Sequence, residues 1–317
     1  LGMLVWQDFP LQWNYARTIR KEAVRQAREA VDLLGHHPSI VVWCAHNEPV
    51  AAGDSRGAAF RSSIVRNVLH QQRPTWNKTI LDRWVKRAFE TADETRSVVA
   101  HSGVAPHLPQ MDGTDSHLFF GWYHGEGRDL DGFAASMPRM MRFVSEFGAQ
   151  SVPDSAEFMR PDRWPALDWH HLAEHHGLQI DPFERHVPPG SYRTFDAWRN
   201  ATQQYQAELL RHQIETLRRL KYRPTGGFCF LALHDPAPAV SWGVLDHERH
   251  PKPAYAAVTE ACHPVIVVAD HMADELVAGE AIALDVHVVS DLRRPLDGVR
   301  CTAMPGSPAR PRSIARD

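Results

Sequence analysis

Two glutamates stand where apolar runs give out. Glu48 follows Val41-Val42-Trp43-Cys44-Ala45-His46-Asn47, and Glu146 follows Arg142-Phe143-Val144-Ser145 and precedes Phe147-Gly148. A carboxylate at a strand end costs little to bury if it faces a polar cleft, and in α/β barrels the C-terminal strand ends carry the chemistry. Two carboxyls meeting there suit glycoside hydrolysis. One must hold a proton to help a leaving oxygen depart, and the other must be ionised to attack the anomeric carbon. At the ~5–5.5 Å spacing of retaining enzymes, mutual repulsion raises one of the two pKa values. A lone glutamate after a strand is more often a helix cap or a solvated charge. Two in matched settings reverse that balance.

Other side chains offer weaker chemistry. His171-Leu172-Ala173-Glu174-His175 matches a zinc-hydrolase spacing. Its polar flanks, His170, His176 and Gly177, read as a loop-and-helix surface, and no third ligand follows downstream. His36 and His37 precede Pro38 and belong to a helix-to-strand turn. Ser102 and Ser145 lack the Gly-x-Ser-x-Gly elbow of a serine hydrolase. Cys44, Cys229, Cys262 and Cys301 are too scattered for a disulfide framework or a zinc knuckle, and read as free thiols.

Positioning two strand-end glutamates requires alternating strands and helices. Short apolar runs predict strands at Met3 to Trp6, Ile40 to Cys44, Ser97 to Ala100, Leu118 to Trp122, Arg142 to Glu146 and Gly227 to Leu233. Helical spacing places Ile19, Ala23, Ala27, Ala30, Val31 and Leu34 on one stripe over 17–34, with Gly35 as C-cap. A second stripe joins Ile80, Leu81, Trp84, Val85, Ala88, Phe89 and Ala92. Long and short helices are predicted over Phe195 to Leu220 and Pro253 to Ala261. Trp198, Tyr205, Leu209, Ile214 and Leu217 face inward on the long one. Six strands with intervening helices favour a parallel sheet. Beginning in mid-strand, they suit an α/β class (β/α)₈ TIM barrel without its first two strands. An open doubly wound sheet would need a glycine-rich phosphate turn, which follows none of them.

The expected domains are therefore 1–262, a partial catalytic barrel carrying strands three to eight; 263–300, the start of an Ig-like β-sandwich; and 301–317, a disordered tail. In the second, Ile282, Leu284, Val286 and Val288 alternate with polar residues as on a half-buried antiparallel strand. In the third, Pro, Arg and Ser dominate without periodicity.

The chain has 317 residues, 43% of them hydrophobic, and a net charge of -3, so it can bury a sizeable core and has no electrostatic pull toward nucleic acid or an anionic membrane. No apolar run approaches the ~20 residues of a membrane span. A start inside a buried strand predicts a natural N-terminus upstream. That leaves the compartment open between cytoplasm and secretion, with the cytoplasm taken as the expectation.

The blocks "GMLVWQDF", "HPSIVVWCAHNE" and "RFVSEFGAQSVP" resemble glycoside hydrolase family 2, and within it the β-mannosidase branch. "WNKTILDRW", "DETRSVV", "DSHLFFGWYHG" and "SWGVLDHERHPKPAY" match in order between and after them, over roughly residues 1 to 290. The resemblance implies Glu48 as general acid/base after strand four and Glu146 as nucleophile after strand seven. It implies Asn47 on the sugar 2-hydroxyl, and Trp6, Asp8, His117, Trp122, Tyr123, His124, His234 and Asp235 around the sugar. It further implies a retaining exo-β-glycosidase, most simply a β-mannosidase, acting on an oligosaccharide or glycoconjugate with no cofactor and no metal. Oligomeric state is not readable. The competing readings are another family 2 activity (β-galactosidase, β-glucuronidase or exo-β-glucosaminidase), a zinc-dependent hydrolase, and an inactive carbohydrate-binding fragment. The sequence departs from the family at Phe230-Leu231-Ala232-Leu233-His234-Asp235. There the branch carries a "YWQLND" block, and Leu231 and Ala232 replace a Trp and a Gln. Ala45 and His46 also stand where Gly and Asn are usual.

Overall fold

Six short strands run parallel in two sheets of three. A computed structural model describes residues 4–49, 72–104, 115–270, 279, 281 and 283–301. Strands β1 (Val5–Asp8), β2 (Ile40–Cys44) and β3 (Ser97–Val99) form one sheet in that order; β4 (Ser116–His117), β5 (Phe143–Glu146) and β6 (Gly227–Phe228) form the other. Both are parallel throughout. Across the interior the Trp6 indole of β1 stacks on the Phe143 ring of β5, with centroids 5.3 Å apart.

Helices cover the outer faces because their apolar stripes demand it. α1 (Arg20–Leu34) turns Ala23 and Ala27 inward, and α2 (Asp82–Ala92) turns Val85, Ala88 and Phe89 inward. With Trp43 of β2, which is fully buried, they make one core. Burying each large side chain contributes about 1.5–3 kcal/mol. Trp43 also donates from Nε1 to Asp93 Oδ2 at 2.8 Å, so its polar atom is satisfied. α6 (Phe195–Arg219), N-capped by the Thr194 hydroxyl, buries Trp198, Leu209, Leu210, Ile214 and Leu217. α7 (Pro253–Ala261) packs Ala254, Ala257 and Ala261 on the same cluster as Val144 and Phe147. α3 (Asp129–Ser136), α4 (Trp169–His176) and α5 (Ile180–His186) complete the described α-helices. None of the helices in the described residues is long and apolar enough to cross a membrane.

Several sequence expectations need correction. The strand expected at Leu118 to Trp122 is Ser116–His117 instead. Gly121, at φ +79°, lies in a turn in which the N–H groups of Trp122, Tyr123 and His124 all donate to the Phe119 carbonyl. The strand expected over Gly227 to Leu233 is regular only to Phe228, although Cys229 and Leu231 still donate to β5-side carbonyls of Val144 and Phe147. Gly35 is the C-cap of α1 as expected, in a right-handed conformation at φ -61°, its N–H donating to the Val31 carbonyl. Ile80 and Trp84 are 42% and 46% exposed, and the Arg20 guanidinium covers the Trp84 ring at 4.0 Å.

After α7 an antiparallel pair, β7 (Val265–Ala269) and β8 (Val286–Ser290), docks beside the end of α6. The face expected to be buried is the exposed one. Val286 and Val288 are 53% and 40% exposed, while Val289 packs with Ile266 and Val268. Cations at the end of α6 fix this choice. Arg218 reaches Asp291 at 2.6 Å, Arg219 reaches Asp270 at 2.6 Å, and Lys221 pairs with Asp291. Met3, Ile282 and 302–317, which includes nearly all of the expected disordered tail, lie outside the described residues.

Candidate active site

Glu48 reaches its place through a continuation of β2 beyond its last regular residue. The Ala45 N–H donates to the Val99 carbonyl, Asn47 to Leu11, and Glu48 to Ser102, so loops from β1 and β3 hold the segment on both sides. Glu48 sits at φ +44°, a left-handed conformation that costs a non-glycine residue about 1–2 kcal/mol. Such strain persists only where neighbours over-determine it, as at functional sites. Glu146 needs no such device: it is the last residue of β5.

The two carboxyls meet at His117, the last residue of β4. His117 Nδ1 lies 2.8 Å from Glu48 Oε1 and 3.4 Å from Glu146 Oε2. One oxygen of each glutamate and a ring nitrogen all lie within 4.8 Å of one another. The second Glu48 oxygen accepts from Trp13 Nε1 at 3.0 Å. Behind the ring, Asp115 Oδ2 is 3.7 Å from His117 Nε2, and it accepts from the Ser145 hydroxyl and from Gly103 N–H. Asn47 Oδ1 accepts from the Ser102 hydroxyl at 2.8 Å, which fixes the amide plane with its NH₂ turned elsewhere.

Electrostatics split the pair. Burial pushes Glu146 up to about 7, helped by the charges of Glu48, Asp8 and Asp115 and opposed by His117. Burial acts on Glu48 too, but the His117 hydrogen bond and charge and the Trp13 N–H outweigh it and hold Glu48 below its ordinary value. Burial would lower His117, yet Glu48, Glu146 and Asp115 together raise it. These contacts therefore favour the ionised form of Glu48 and the protonated form of His117, and leave Glu146 titrating near neutrality.

Some expected residues join this centre. Asp8 acts on Glu146 by charge and accepts the Trp6 indole N–H at 2.9 Å. Tyr123 feels both glutamates, and burial pushes its hydroxyl up to about 12; its oxygen accepts from Gln179 Nε2 at 2.8 Å. Others do not join it. Trp122 is fully buried in a core cluster, edge-on to Phe183 and bonded to Gln179. His124 packs on Phe120 and Tyr123, with the Arg185 charge acting on it. His234 lies exposed in an irregular segment. Asp235 is fully buried: it accepts from Gly243 N–H and pairs with the equally buried Lys252 at 3.2 Å. Its carboxylate is structural, because a buried lysine needs a counter-charge. The sequence reading missed Trp13, Asp115 and Gln179. Asp115 lies just ahead of β4, two residues before His117, and Trp13 lies in a loop with no periodicity.

The Glu48–His117–Glu146 trio is the only close set of three ligand-type side chains among the described residues. Its ring nitrogen is already committed to Glu48, and we assign it no metal role. The His171 and His175 rings lie tilted with centroids 4.7 Å apart on the exposed face of α4 beside a solvated Glu174, and they form no close set of three ligand atoms among the described residues.

No protein-family model matches the chain. Curated relatives do. It is 30% identical to β-mannosidase B of Aspergillus clavatus over 305 residues, covering 84% of this chain and 33% of that protein. It is 28% identical to β-mannosidase B of Thermothelomyces thermophilus over 306 residues, with the same coverage. The chain thus spans about a third of the length of the curated relatives it matches. In fold it resembles the β-D-mannosidase of Dictyoglomus thermophilum, with a TM-score of 0.61 at 22% identity, covering 86% of this chain and 33% of that one. It also resembles a β-glucuronidase of Bacteroides uniformis, with a TM-score of 0.50 at 19% identity over 85% of this chain and 29% of that one. The chain is thus similar over most of its length to a part of the β-mannosidase B proteins, and its parallel β/α architecture is the fold of the matching part of a β-D-mannosidase.

Proposed function

We propose that the protein is a retaining exo-β-mannosidase that removes terminal non-reducing β-D-mannosyl residues from oligosaccharides or glycoconjugates. One observation carries the reading: carboxyl oxygens of Glu48 and Glu146 approach within 4.8 Å across His117. That spacing suits a covalent intermediate, whereas inverting enzymes separate their carboxyls by roughly 6.5–9.5 Å to admit a water. Glu146 attacks the anomeric carbon while Glu48 protonates the departing oxygen. Glu48, then ionised, takes a proton from water as the glycosyl ester is hydrolysed. Asn47 meets the 2-hydroxyl, and Trp6, Asp8 and Tyr123 line the sugar. The six strands correspond on this reading to strands three to eight of an eight-stranded barrel, and β7 and β8 open an Ig-like sandwich.

The test is a panel of aryl β-glycosides given to the protein, to Glu48→Gln and to Glu146→Ala. Turnover of the mannoside, and a loss of at least ~10²-fold in kcat for each variant, is expected for removal of an acid/base or a nucleophile. Azide should partly restore Glu146→Ala by occupying the vacated space, and EDTA should leave the wild type unchanged. Wild-type rates in either variant would end the assignment. Preference for a glucuronide, galactoside or glucosaminide would keep the chemistry and replace the sugar.

A further inference from the structure

We infer that His117 is a two-position cation, bonded to Glu48 in one position and to Glu146 in the other, so that its swing sets which glutamate carries the proton. The inference rests on the catalytic reading above and adds to it a residue that acts through the glutamates. Nδ1 has one hydrogen and two carboxylates in reach, at 2.8 Å and 3.4 Å. It can serve only one well, since a good N–H···O bond is 2.7–3.2 Å long. The swing is therefore a few tenths of an ångström. On the far side of the ring Nε2 has no hydrogen-bond partner and faces, at 3.7 Å, the carboxylate of Asp115, itself nearly fully buried and held by Ser145 and Gly103, so no bond there pins the ring to one position. Space for the ring is provided by a missing side chain, because a Cβ on Gly103 would lie 2.3 Å from Cε1 and 2.4 Å from Nδ1.

The two positions differ in chemistry. Bonded to Glu48, the imidazolium stabilises the anion of the group that has to act as acid. Bonded to Glu146, it stabilises the anion of the group that has to attack. The exchange balances within the trio. The Nδ1 proton passes to Glu48 Oε1, the proton on Glu146 passes to the vacated Nδ1, and the ring ends cationic as it began. The ionisable groups facing this exchange are Asp8 from β1, Glu48 beyond β2, Asp115 ahead of β4, Tyr123 after β4, Glu146 on β5 and, acting through Asp8 and Asp115, Cys229 after β6. Burial disfavours the cation, and the surrounding carboxylates more than restore it.

The deciding experiment follows the His117 ring by NMR through a pH titration of the wild type, Glu48→Gln and Glu146→Gln, with His117→Gln used only to assign the signal. A shared cation loses support from either substitution, so the midpoint should fall in both variants. A fall in Glu48→Gln alone would overturn the sharing, and no fall in either would overturn the whole inference. This readout needs no turnover, so it stands even if the glycoside panel defeats the functional reading. A kinetic arm uses His117→Asn. Removing a cation beside two carboxylates raises both their pKa values, so both limbs of the kcat/KM against pH profile should move upward. Lower activity with unmoved limbs would mean a packing role and would overturn the inference.

Discussion

Glu146 holds its charge at a cost to the fold, and Glu146→Gln should remove that cost. Its side chain is only 20% exposed, and burial lifts it from the ordinary 4.5 to about 7. The raised value means that the native state binds this proton more tightly than the unfolded chain does. Below about pH 4.5 both states are protonated and nothing is lost. Between 4.5 and about 7 the native state holds the extra proton, so stability falls as pH rises, and above 7 the full penalty applies. A span of about 2.5 pH units at about 1.36 kcal/mol each amounts to about 3 kcal/mol. Glutamine carries no charge at any of these pH values. Urea denaturation of both proteins at pH 5 and pH 8.5 should show the variant gaining about 2.5 kcal/mol on the wild type between the two conditions, since part of the penalty is already present at pH 5. Using the difference between proteins cancels the titration of shared groups that do not feel Glu146; His117, which loses the support of that charge in the variant, adds to the gain. Parallel stability curves would refute the claim that burial, rather than a compensating partner, governs this carboxyl.

Two further substitutions test the supports of the site. Gly103→Ala places a Cβ 2.3–2.9 Å from the His117 ring at a backbone φ of +65°. A ring displaced by the best part of an ångström should lower kcat by about 10²-fold, with a stability loss of about 1–3 kcal/mol in urea; wild-type turnover of an aryl mannoside would show that the ring is not confined. Lys252→Met strands Asp235, fully buried, with only the Gly243 N–H as partner. Denaturation should show a loss of about 3–5 kcal/mol, and Asp235→Asn added to it should recover most of that loss. A single variant within about 1 kcal/mol of wild type would mean the pair is not needed.

What the sequence made legible was periodicity and its consequences. The helices over Phe195–Arg219 and Pro253–Ala261 follow directly from apolar spacing, as do Ile40–Cys44 and the position of Glu146 at a strand end. What it hid was the choice made by tertiary partners. Val286 and Val288 alternate well enough for either face to be inward, and three cations at the end of α6 decided it. Asp235 looked like a strand-end ligand, but its destination is set by Lys252, 17 residues on and invisible to local pattern. Trp122 carried a polar handle suited to sugar and spent it on Gln179. Trp13 could not be found because nothing local marks a loop indole that reaches across 35 residues to Glu48.

The arrangement also explains why chemistry gathers at this edge. Glu48 belongs to the first sheet; His117 and Glu146 belong to the second. The contacts that cross between the sheets are of two kinds. One is the stack of Trp6 on Phe143, both half-buried, an apolar contact indifferent to pH. At the strand ends, Glu48 meets His117, and Gly103 N–H meets Asp115, contacts built from charge. An apolar joint at the strand ends would hold the halves together equally well but could not exchange protons. A fully charged joint with no apolar contact beside it would loosen whenever one member was neutralised, as Glu146 would be if glycosylated on the proposed mechanism. On the proposed double displacement, the aromatic pair beside the carboxylates would let the charged joint change its charge at each step while the apolar one still links the two sheets.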